Sequence, residues 1–264
     1  MQYDKPRRVL VTGASRGVGA ATAKMFAGAG HYVVLSARNE ANLNRVKAEI
    51  DSSGGKCEFH VADLSSRAAC RDLARRCGEI DVLINNAALT AGPFQSPLEP
   101  ADDYWDSSFA VSFFAPLILM QELGRGMQAR GFGVIINISS MAAQRAVPLL
   151  AGYSVVKAAL DALSKSAGMD LASAGIRVNS VSLGHVDTEA FSENCVEGVT
   201  PQEIARRNAP LGRLIHPEEI AGLCVYLASD LAAPIVGTVV NIDGGLTAGM
   251  YSFRGNFSTP DRVS

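Results

Sequence analysis

A tyrosine and a lysine four residues apart, preceded by a pair of serines, form the most distinctive chemical pattern in the sequence. They are Tyr153 and Lys157 on a helix expected over about 152–173, and Ser140 closes the segment Ile-Ile-Asn-Ile-Ser-Ser at 135–140. Residues four apart lie on the same face of a helix. A phenol with a pKa of about 10 carries protons poorly at neutral pH, and a neighbouring ammonium favours its ionised form. The pattern predicts a general acid or base at Tyr153, with Ser140 able to hydrogen-bond a substrate oxygen.

A glycine-rich segment near the N-terminus is predicted to bind phosphate. Residues 12–19 read Thr-Gly-Ala-Ser-Arg-Gly-Val-Gly and lie between an apolar run at 9–11 and a helical pattern at 20–29. Glycine permits a tight turn and a close ligand approach, and the first amides of the helix have no partner inside it. Taken alone, the pattern is as typical of a plain structural turn. The ligand contacts assigned to this loop are Gly13, Ser15, Arg16, Gly17, Val18 and Gly19.

Apolar, β-branched runs alternate with helical patterns along the chain. The runs lie at 9–11, 32–35, 57–61, 81–84, 134–138, 176–181 and 238–242, and helical spacing is clear at 40–51 and 67–77. Nearly continuous apolar runs are typical of parallel strands buried on both faces, and the alternation implies right-handed crossovers. We predict an α/β fold in which a single doubly wound parallel sheet carries helices on both faces. One domain is expected over 1–264, with a polar C-terminal tail at about 247–264.

Composition and charge argue against several classes of protein. The formal net charge of −2 and the pI of about 6.1 are unlike those of a nucleic-acid binder. No unbroken apolar stretch reaches the roughly 18 residues that span a bilayer, and the first eight residues do not resemble a signal peptide. Five cysteines and four histidines show no metal-ligand spacing, and an odd number of cysteines fits reduced thiols. We therefore expect a cytoplasmic protein with a small-molecule substrate and without a nucleic-acid, membrane or metal partner.

The residues that follow the second apolar run indicate which dinucleotide fits. In a dinucleotide fold this strand end lies beside the adenosine ribose, where an acidic residue accepts from the 2′-hydroxyl of NAD. Here Ala37 and Arg38 stand at this position. A guanidinium holds a 2′-phosphate well, and Arg16 could reach the same phosphate from the glycine loop. We predict NADP(H) in preference to NAD(H), although each arginine taken alone is more often a solvent-exposed charge.

Polar residues close two further runs. Asp63 and Leu64 follow the third run, where the carboxylate could accept from an adenine amino group or cap the next helix. Asn85 and Asn86, followed by Ala87, end the fourth run. Two adjacent amides there could tie neighbouring strand ends together beneath a ligand, or form a simple turn.

The motifs in combination resemble those of the classical short-chain dehydrogenases/reductases. They are Thr-Gly-x-x-x-Gly-x-Gly at 12–19, Asn-Asn-Ala at 85–87, Ser140, and Tyr-x-x-x-Lys at 153–157, and the similarity extends from about residue 8 to about residue 246. The resemblance implies a Rossmann-type domain, a nicotinamide cofactor and hydride transfer between nicotinamide and a carbonyl or carbinol carbon. It also implies a homo-oligomer, either a tetramer or a dimer.

The same resemblance assigns roles to individual residues. Tyr153 would be the proton donor or acceptor, Lys157 would hold the nicotinamide ribose and lower the pKa of Tyr153, and Ser140 would orient the substrate oxygen. Cofactor contacts would also come from Asn86, Ala87, Gly184, Val186 and Thr188.

Three positions depart from the family pattern. Ser112 stands where the family has an asparagine that kinks its helix and frees a carbonyl for a relay water. Serine can hydrogen-bond back to its own helix, so we expect a modified relay rather than an inactive site. Leu183 replaces the proline of a Pro-Gly pair, and Ala88 replaces a glycine.

These patterns predict an NADPH-dependent carbonyl reductase, or the reverse secondary alcohol dehydrogenase, acting on a largely apolar substrate. Substrate choice is expected from the loops at 89–94 and 141–150 and from a lid at 188–207. Within the middle loop, Arg145 could pair with a substrate anion or be an exposed loop arginine. The alternatives are NAD-linked alcohol oxidation and a catalytically weakened nucleotide-binding scaffold or sensor.

Overall fold

One seven-stranded parallel sheet forms the centre of the molecule. The computed structural model describes residues 5–89, 96–99, 102–193, 195 and 198–249. The strands are β1 (Arg8–Thr12), β2 (Tyr32–Ala37), β3 (Lys56–Val61), β4 (Val82–Asn85), β5 (Gly133–Ser140), β6 (Ile176–Leu183) and β7 (Val239–Ile242). Their order in the sheet is β3-β2-β1-β4-β5-β6-β7, with all neighbours parallel. The direction of progression reverses between β1 and β4, which is where ligands bind in sheets of this kind.

Nine helices are described. They are α1 (Gly17–Gly28), α2 (Glu40–Ser52), α3 (Arg67–Cys77), α4 (Asp102–Phe109), α5 (Ala115–Arg130), α6 (Ala151–Leu171), α7 (Glu189–Glu193), α8 (Pro201–Asn208) and α9 (Pro217–Ala228). Short helical turns lie at Ala110–Phe114, Met141–Ala143, Ala172–Ala174 and Asp230–Ala232. The predicted α/β class and the doubly wound parallel sheet are confirmed.

Alternate residues of each strand pack into two apolar layers. Val9 and Val11 of β1 face a core layer that includes residues of α1, α2 and α9, whereas Leu10 faces a layer that includes residues of α3 and α5. Because side chains alternate along a strand, a run of consecutive apolar residues fills both layers. This is why the strands read as continuous apolar runs, and it confirms the prediction of helices on both faces.

The strands that bear the Ser-Ser and Leu-Gly segments extend further than their apolar runs suggest. β5 and β6 remain paired through Ser139 with Ser182 and Ser140 with Leu183. The backbone ladder therefore continues after the apolar pattern stops, since the register depends on main-chain groups rather than on side-chain polarity. As a result, Ser140 is held rigidly at the carboxyl edge of the sheet.

The helical run Asp102–Arg130 is long and apolar enough to cross a membrane by length and composition alone. Half of its most apolar window is buried inside the fold, and its α5 portion packs against α3 and β5. Burial against the sheet explains this apolar character, as in the core helix of an α/β domain.

Several predicted segments fall only partly among the described residues. The described part of the polar tail ends at residue 249, so 250–264 lie outside it. Residues 90–94 of the first substrate loop, and 194, 196 and 197 of the lid, also lie outside the described residues.

The sequence of α6 suits close packing on the sheet. A Cβ added at Gly168 would lie 2.5 Å from Gly237 Cα, 2.6 Å from Gly237 N and 3.0 Å from the Val178 carbonyl oxygen. These neighbours are backbone atoms in a closely packed interior, so an added Cβ could be accommodated only if α6 moved away from them. Gly168 therefore sets the distance between β6 and the helix that carries Tyr153 and Lys157.

We expect Gly168→Ala to destabilise the protein by about 1–3 kcal/mol, because overpacking forces the helix away from the sheet. Thermal unfolding measures the effect, at roughly 2–4 °C of Tm per kcal/mol for a chain of this size. Gly124→Ala in α5 is the matched control, since its added Cβ meets no atom within 4 Å. That control should keep or raise the Tm, as alanine favours helix by about 0.5–1 kcal/mol. A Gly168→Ala protein as stable as the control would contradict this packing.

Candidate active site

A cavity of about 1130 Å³ opens at the carboxyl edge of the sheet. It runs from the ends of β2 and β3, past the glycine loop, to Ser140 and the lid helix α7. Most of the predicted site residues lie on its wall, namely Gly13, Ser15, Arg16, Gly17, Val18, Arg38, Asp63, Leu64, Asn86, Ala87, Ser140, Tyr153, Lys157, Gly184, Val186 and Thr188. Gly19 and Ser112 do not line it.

The glycine loop folds tightly against the neighbouring strand end. Gly13 and Gly17 have φ of +65° and +53°, in the left-handed region that favours glycine. A Cβ at Gly13 would lie 2.8 Å from Asn86 Nδ2 and 2.9 Å from Ala87 Cα. The side of the loop that faces Asn86 and Ala87 has no room for a side chain at Gly13. The backbone of the loop can therefore lie close to these residues and still border the cavity.

Gly19 has a packing role that differs from the predicted ligand contact. It is buried in the first turns of α1, and an added Cβ would run into the Gly13 carbonyl and lie 2.5 Å from Asn86 Nδ2. The spacing of the motif does not show which glycines face the ligand and which face the rest of the protein, so the prediction assigned a ligand contact to Gly19. The structure places it between α1 and the turn.

The two asparagines at the end of β4 connect adjacent strands, as predicted. Asn86 Nδ2 donates to the carbonyls of Thr12 at 3.0 Å and Gly13 at 3.2 Å. Asn85 Nδ2 donates to Asn137 Oδ1 on β5 at 2.8 Å. Their amides thus tie β1, β4 and β5 together beneath the cavity, and the alternative of a simple turn does not describe them.

At the far end of the cavity, Arg38 and Asp63 lie on the wall together with Asn39 and Asn42 of the α2 start. Asp63 Oδ1 accepts from the backbone N–H of Ser65 at 3.1 Å. This hydrogen bond is the main cause of the lowered pKa of Asp63, and the Arg38 charge adds to it. The alternative role of Asp63 as a helix cap is wrong, because the Ser66 side chain caps α3.

Arg16 points to the lid helix. Its Nη1 lies 3.2 Å from Glu193 Oε1 and 3.4 Å from Glu189 Oε2, both on α7. These carboxylates raise the pKa of Arg16, with the Glu193 hydrogen bond as the largest cause. The sequence predicted a 2′-phosphate as the partner of this guanidinium, whereas the partners in this structure are the two carboxylates of α7.

The predicted triad converges where β5 meets α6. Ser140 closes β5, and its hydroxyl accepts from the Ala142 N–H at 3.2 Å. Tyr153 lies in the first turn of α6. Lys157, one turn later, is 3% exposed. The three side chains border the same part of the cavity.

The electrostatics of the triad differ from the expectation for Tyr153. Burial raises the pKa of its phenol, the hydrogen bond with Ser140 opposes the rise, and Tyr104 adds to it. Lys157 Nζ lies 5.8 Å from the Tyr153 ring centroid and donates instead to the Ile138 carbonyl at 2.8 Å. The predicted lowering by Lys157 is therefore absent from this arrangement, because the lysine hydrogen-bonds to the strand.

Lys157 itself is strongly perturbed. Burial lowers the pKa of its ammonium to about 8, and the carboxylate of Asp161 opposes this decrease. A group whose pKa lies near neutral pH gains or loses its proton over a small change of pH.

Ser112 lies in a π-helical segment, Ala110–Phe114, that separates α4 from α5. It is 1% exposed, and its hydroxyl accepts from the Leu89 N–H at 3.3 Å. π-helical turns widen the helix and disturb its regular hydrogen bonding. The irregularity expected of the family's asparagine is thus present with serine, whose hydroxyl bonds to the neighbouring loop rather than to its own helix.

The part of the cavity beside α7 and the loop at 141–150 includes apolar residues, among them Val147, Leu150 and Phe191. Phe191 of the lid packs on His185 with ring centroids 5.1 Å apart. Burial lowers the pKa of His185. Arg145 donates to the Leu246 carbonyl at 2.8 Å and remains exposed, which agrees with the alternative of a loop arginine.

Some residues of the site were not singled out from the sequence. Asn39 gave a signal as an N-cap, and its side chain accepts from Asn42 N at 2.9 Å. Asp161 stands four residues after Lys157, so helical spacing predicts that it shares the same face. His185 directly follows Gly184 but carries no distinctive spacing.

Comparison with known proteins identifies relatives along most of the chain. The family model described as enoyl-(acyl carrier protein) reductase matches residues 13–247. An acetoacetyl-CoA reductase of Rhizobium meliloti is 35% identical, with 90% of this chain and 98% of the relative covered. A gluconate 5-dehydrogenase of Gluconobacter oxydans is 33% identical, with 92% and 95% covered. A crystal structure of an actinorhodin polyketide ketoreductase variant with NADPH superposes with a TM-score of 0.85 at 29% identity, covering 93% of this chain and 99% of that one.

The range matched by the family model includes the glycine loop and the segment that contains Ser140, Tyr153 and Lys157. The chain is therefore an oxidoreductase of the short-chain dehydrogenase/reductase family.

Proposed function

We propose that the protein is an NADPH-dependent carbonyl reductase, working in reverse as a secondary alcohol dehydrogenase. The observation that carries the proposal is a single cavity with Ser140, Tyr153 and Lys157 at one end and the glycine loop and Arg38 at the other. A proton carrier and a dinucleotide-sized groove in one space fit a reaction that moves a hydride and a proton together.

The residues present fit a nicotinamide dinucleotide. The turn at Gly13 and Gly17 lies at the start of α1, where backbone N–H groups favour a pyrophosphate. When bound, the nicotinamide supplies the hydride for the carbonyl carbon. The residues proposed to hold the cofactor are Gly13, Ser15, Arg16, Gly17, Val18, Arg38, Asp63, Leu64, Asn86, Ala87, Tyr153, Lys157, Gly184, Val186 and Thr188. Gly19 packs against Gly13 and Asn86 and so supports this turn on the side away from the cavity.

Arg38 favours NADP(H) over NAD(H). It lies on the cavity wall beyond the end of β2, where Ala37 leaves no carboxylate to repel a 2′-phosphate. The NADPH bound in the ketoreductase relative supports the same choice. The pairing of Arg16 with Glu189 and Glu193 favours the alternative, NAD(H), because it engages one of the two predicted phosphate ligands.

The proton step is proposed to run through Tyr153. Its phenol donates to the substrate oxygen while the Ser140 hydroxyl holds that oxygen in place. Lys157 holds its positive charge beneath the phenol and is replenished with protons from the side of the π-helical segment that contains Ser112. The Ser112 hydroxyl accepts from the Leu89 N–H, and the backbone carbonyl of Ser112 is proposed to hold the relay water.

The apolar walls, which include Val111, Val147 and Phe191, favour a largely apolar carbonyl substrate of small to medium size. The relatives named for acetoacetyl-CoA reduction and polyketide ketoreduction support carbonyl reduction, and the gluconate relative supports the oxidative direction.

We further propose one domain over 1–264, a cytoplasmic location and a homo-oligomer, either a tetramer or a dimer. Apolar side chains on the outer surface of α6 support the last point, since Val155 is 47% and Met169 81% exposed.

Replacing Tyr153 with Phe removes the proposed acid while keeping the ring. We expect kcat for NADPH-dependent reduction of a carbonyl panel that includes ethyl acetoacetate to decrease by about 10²–10⁴-fold. NADPH affinity, measured by fluorescence titration, should stay close to that of the wild type. Tyr226→Phe, on α9 and outside the cavity lining, is the control and should retain full activity. Retention of activity by the Tyr153 variant would exclude this phenol as the acid.

Arg38→Asp tests the choice of cofactor. The charge reversal should decrease kcat/KM for NADPH by about 10–150-fold, the range of a charge-assisted hydrogen bond of about 1.5–3 kcal/mol, and affect NADH much less. Arg75→Asp, an equal charge change on the exposed face of α3, is the control and should leave the cofactor ratio unchanged. A wild-type enzyme that prefers NADH would overturn the assignment of the 2′-phosphate to Arg38.

A further inference from the structure

A charged contact joins the lid helix α7 to the glycine loop. Arg16 Nη1 lies 3.2 Å from Glu193 Oε1 and 3.4 Å from Glu189 Oε2, within hydrogen-bond distance of both. The two glutamates stand four residues apart, so they lie on one face of the helix. One guanidinium of the proposed cofactor site is therefore shared by two carboxylates of the lid.

The helix that carries these carboxylates is weakly anchored. α7 is five residues long and contains no buried residue. Phe191 packs on His185, and the Thr188 hydroxyl at the start of the helix accepts from the Phe191 N–H at 3.2 Å. Segments with few buried contacts open at low cost in free energy. The ion pairs with Arg16 therefore contribute to the position of α7 on the glycine loop.

Arg16 also lies beside the place proposed for the 2′-phosphate. The glycine loop adjoins the end of β2, because the Ala14 N–H donates to the Ser36 carbonyl at 3.1 Å. Arg16 and Arg38 each stand two residues after one of these positions. Both arginines line the cavity. An anion bound by Arg38 at this edge would thus lie near the guanidinium that the lid now engages.

A phosphate monoester competes well for such a guanidinium. It carries about 1.5–2 negative charges at pH 7 and three acceptor oxygens, whereas a carboxylate carries one charge. All three side chains of the ion pairs are exposed, and exposed pairs are weak and screened by salt. Exchange of the carboxylates for a phosphate is therefore favourable, but it is less favourable than binding to an unpaired arginine.

We propose that Glu189 and Glu193 are specificity-determining residues that compete with the 2′-phosphate of NADP(H) for Arg16. A cofactor with this phosphate takes Arg16 from the glutamates and releases α7 from the glycine loop. A cofactor without it leaves the ion pairs in place, so the two glutamates reduce the preference for NADP(H). The proposal rests on the proposed function in that a 2′-phosphate binds beside Arg38, but it requires no turnover.

Two nucleotides that differ only in this phosphate test the competition. Adenosine 2′,5′-bisphosphate carries the 2′-phosphate, 5′-AMP lacks it, and neither contains the nicotinamide. In Glu189→Gln/Glu193→Gln we expect the Kd of the bisphosphate to decrease about 2–10-fold, because the two exposed ion pairs no longer have to break. The Kd of 5′-AMP should remain that of the wild type. Isothermal titration calorimetry in low-salt buffer measures both values, since salt screens these contacts.

A matched control separates the ion pairs from net charge. Glu79→Gln/Glu122→Gln makes the same charge change at two glutamates that lie near other arginines, Arg130 and Arg71, and outside the cavity lining. This control should bind both nucleotides as the wild type does. An equal gain in affinity for the bisphosphate in the control would overturn the proposal, because net charge alone would then explain it.

Removal of the shared arginine shows whether the effect acts through it. In an Arg16→Met background, the exchange of Glu189 and Glu193 for glutamine should lose most of its effect on the Kd of the bisphosphate, as in a double-mutant cycle. A gain of the same size without Arg16 would indicate direct repulsion between the glutamates and the phosphate and would overturn the competition.

Hydrogen exchange reports the position of the lid. The amides of Phe191 and Ser192 each donate to the Thr188 carbonyl at 3.1 Å, so they are protected in the docked helix. Saturating bisphosphate should speed exchange across 188–193 in the wild type by about 2–10-fold relative to saturating 5′-AMP, because an undocked short helix opens more often. The double glutamine variant at the lid should show the faster exchange without nucleotide.

The outcomes distinguish this proposal from the proposed function. Unchanged affinity for the bisphosphate in Glu189→Gln/Glu193→Gln would overturn the competition, as would equal exchange at α7 with both nucleotides. A wild type that binds 5′-AMP as tightly as the bisphosphate would instead overturn the choice of NADP(H). The gain expected in the double variant would then still decide whether the lid withholds Arg16 from a phosphate.

Discussion

The hydrogen bonds of Asn86 to the Thr12 and Gly13 carbonyls hold together the point at which the strand order reverses. At that point β1 and β4 are neighbours, but their chains leave the sheet in different directions, so a gap opens between them. The glycine turn fits into this gap because it has no side chains on the side that faces Asn86 and Ala87. The glycine turn and the start of α1 take their positions from this contact.

A second constraint is the burial of polar groups beneath α6. Asn85, Asn137, Ser164 and Ser180 form a chain of hydrogen bonds across β4, β5 and β6. Buried polar groups are stable only when they are paired, and a paired network rigidifies the strands that bear it. Lys157 and Asp161 lie on the same side of the helix, so the end of the cavity that Ser140 and Tyr153 line lies above a layer of polar side chains in an otherwise apolar sheet. This explains how an ammonium can be almost fully enclosed there.

The lid is held in a different way. Arg16 and its partners Glu189 and Glu193 are 45%, 78% and 58% exposed, and exposed ion pairs of this kind contribute about 0–1 kcal/mol each. A phosphate could replace these carboxylates at small cost. Arg16 can therefore exchange these partners easily, whereas the buried groups under α6 cannot.

The sequence by itself determined the sheet and the helices and singled out the candidate site residues, because strand and helix periodicity are local properties and Tyr153 and Lys157 share one helix face through spacing alone. It also predicted that Asn85 and Asn86 link strand ends. The tertiary structure decided which partners these groups take. Lys157 donates to Ile138 rather than to Tyr153, Arg16 turns to α7, Gly19 packs behind the turn, and Ser112 bonds to Leu89. Each of these contacts joins segments whose separation is set by the packing of the whole sheet, and no local pattern encodes that distance.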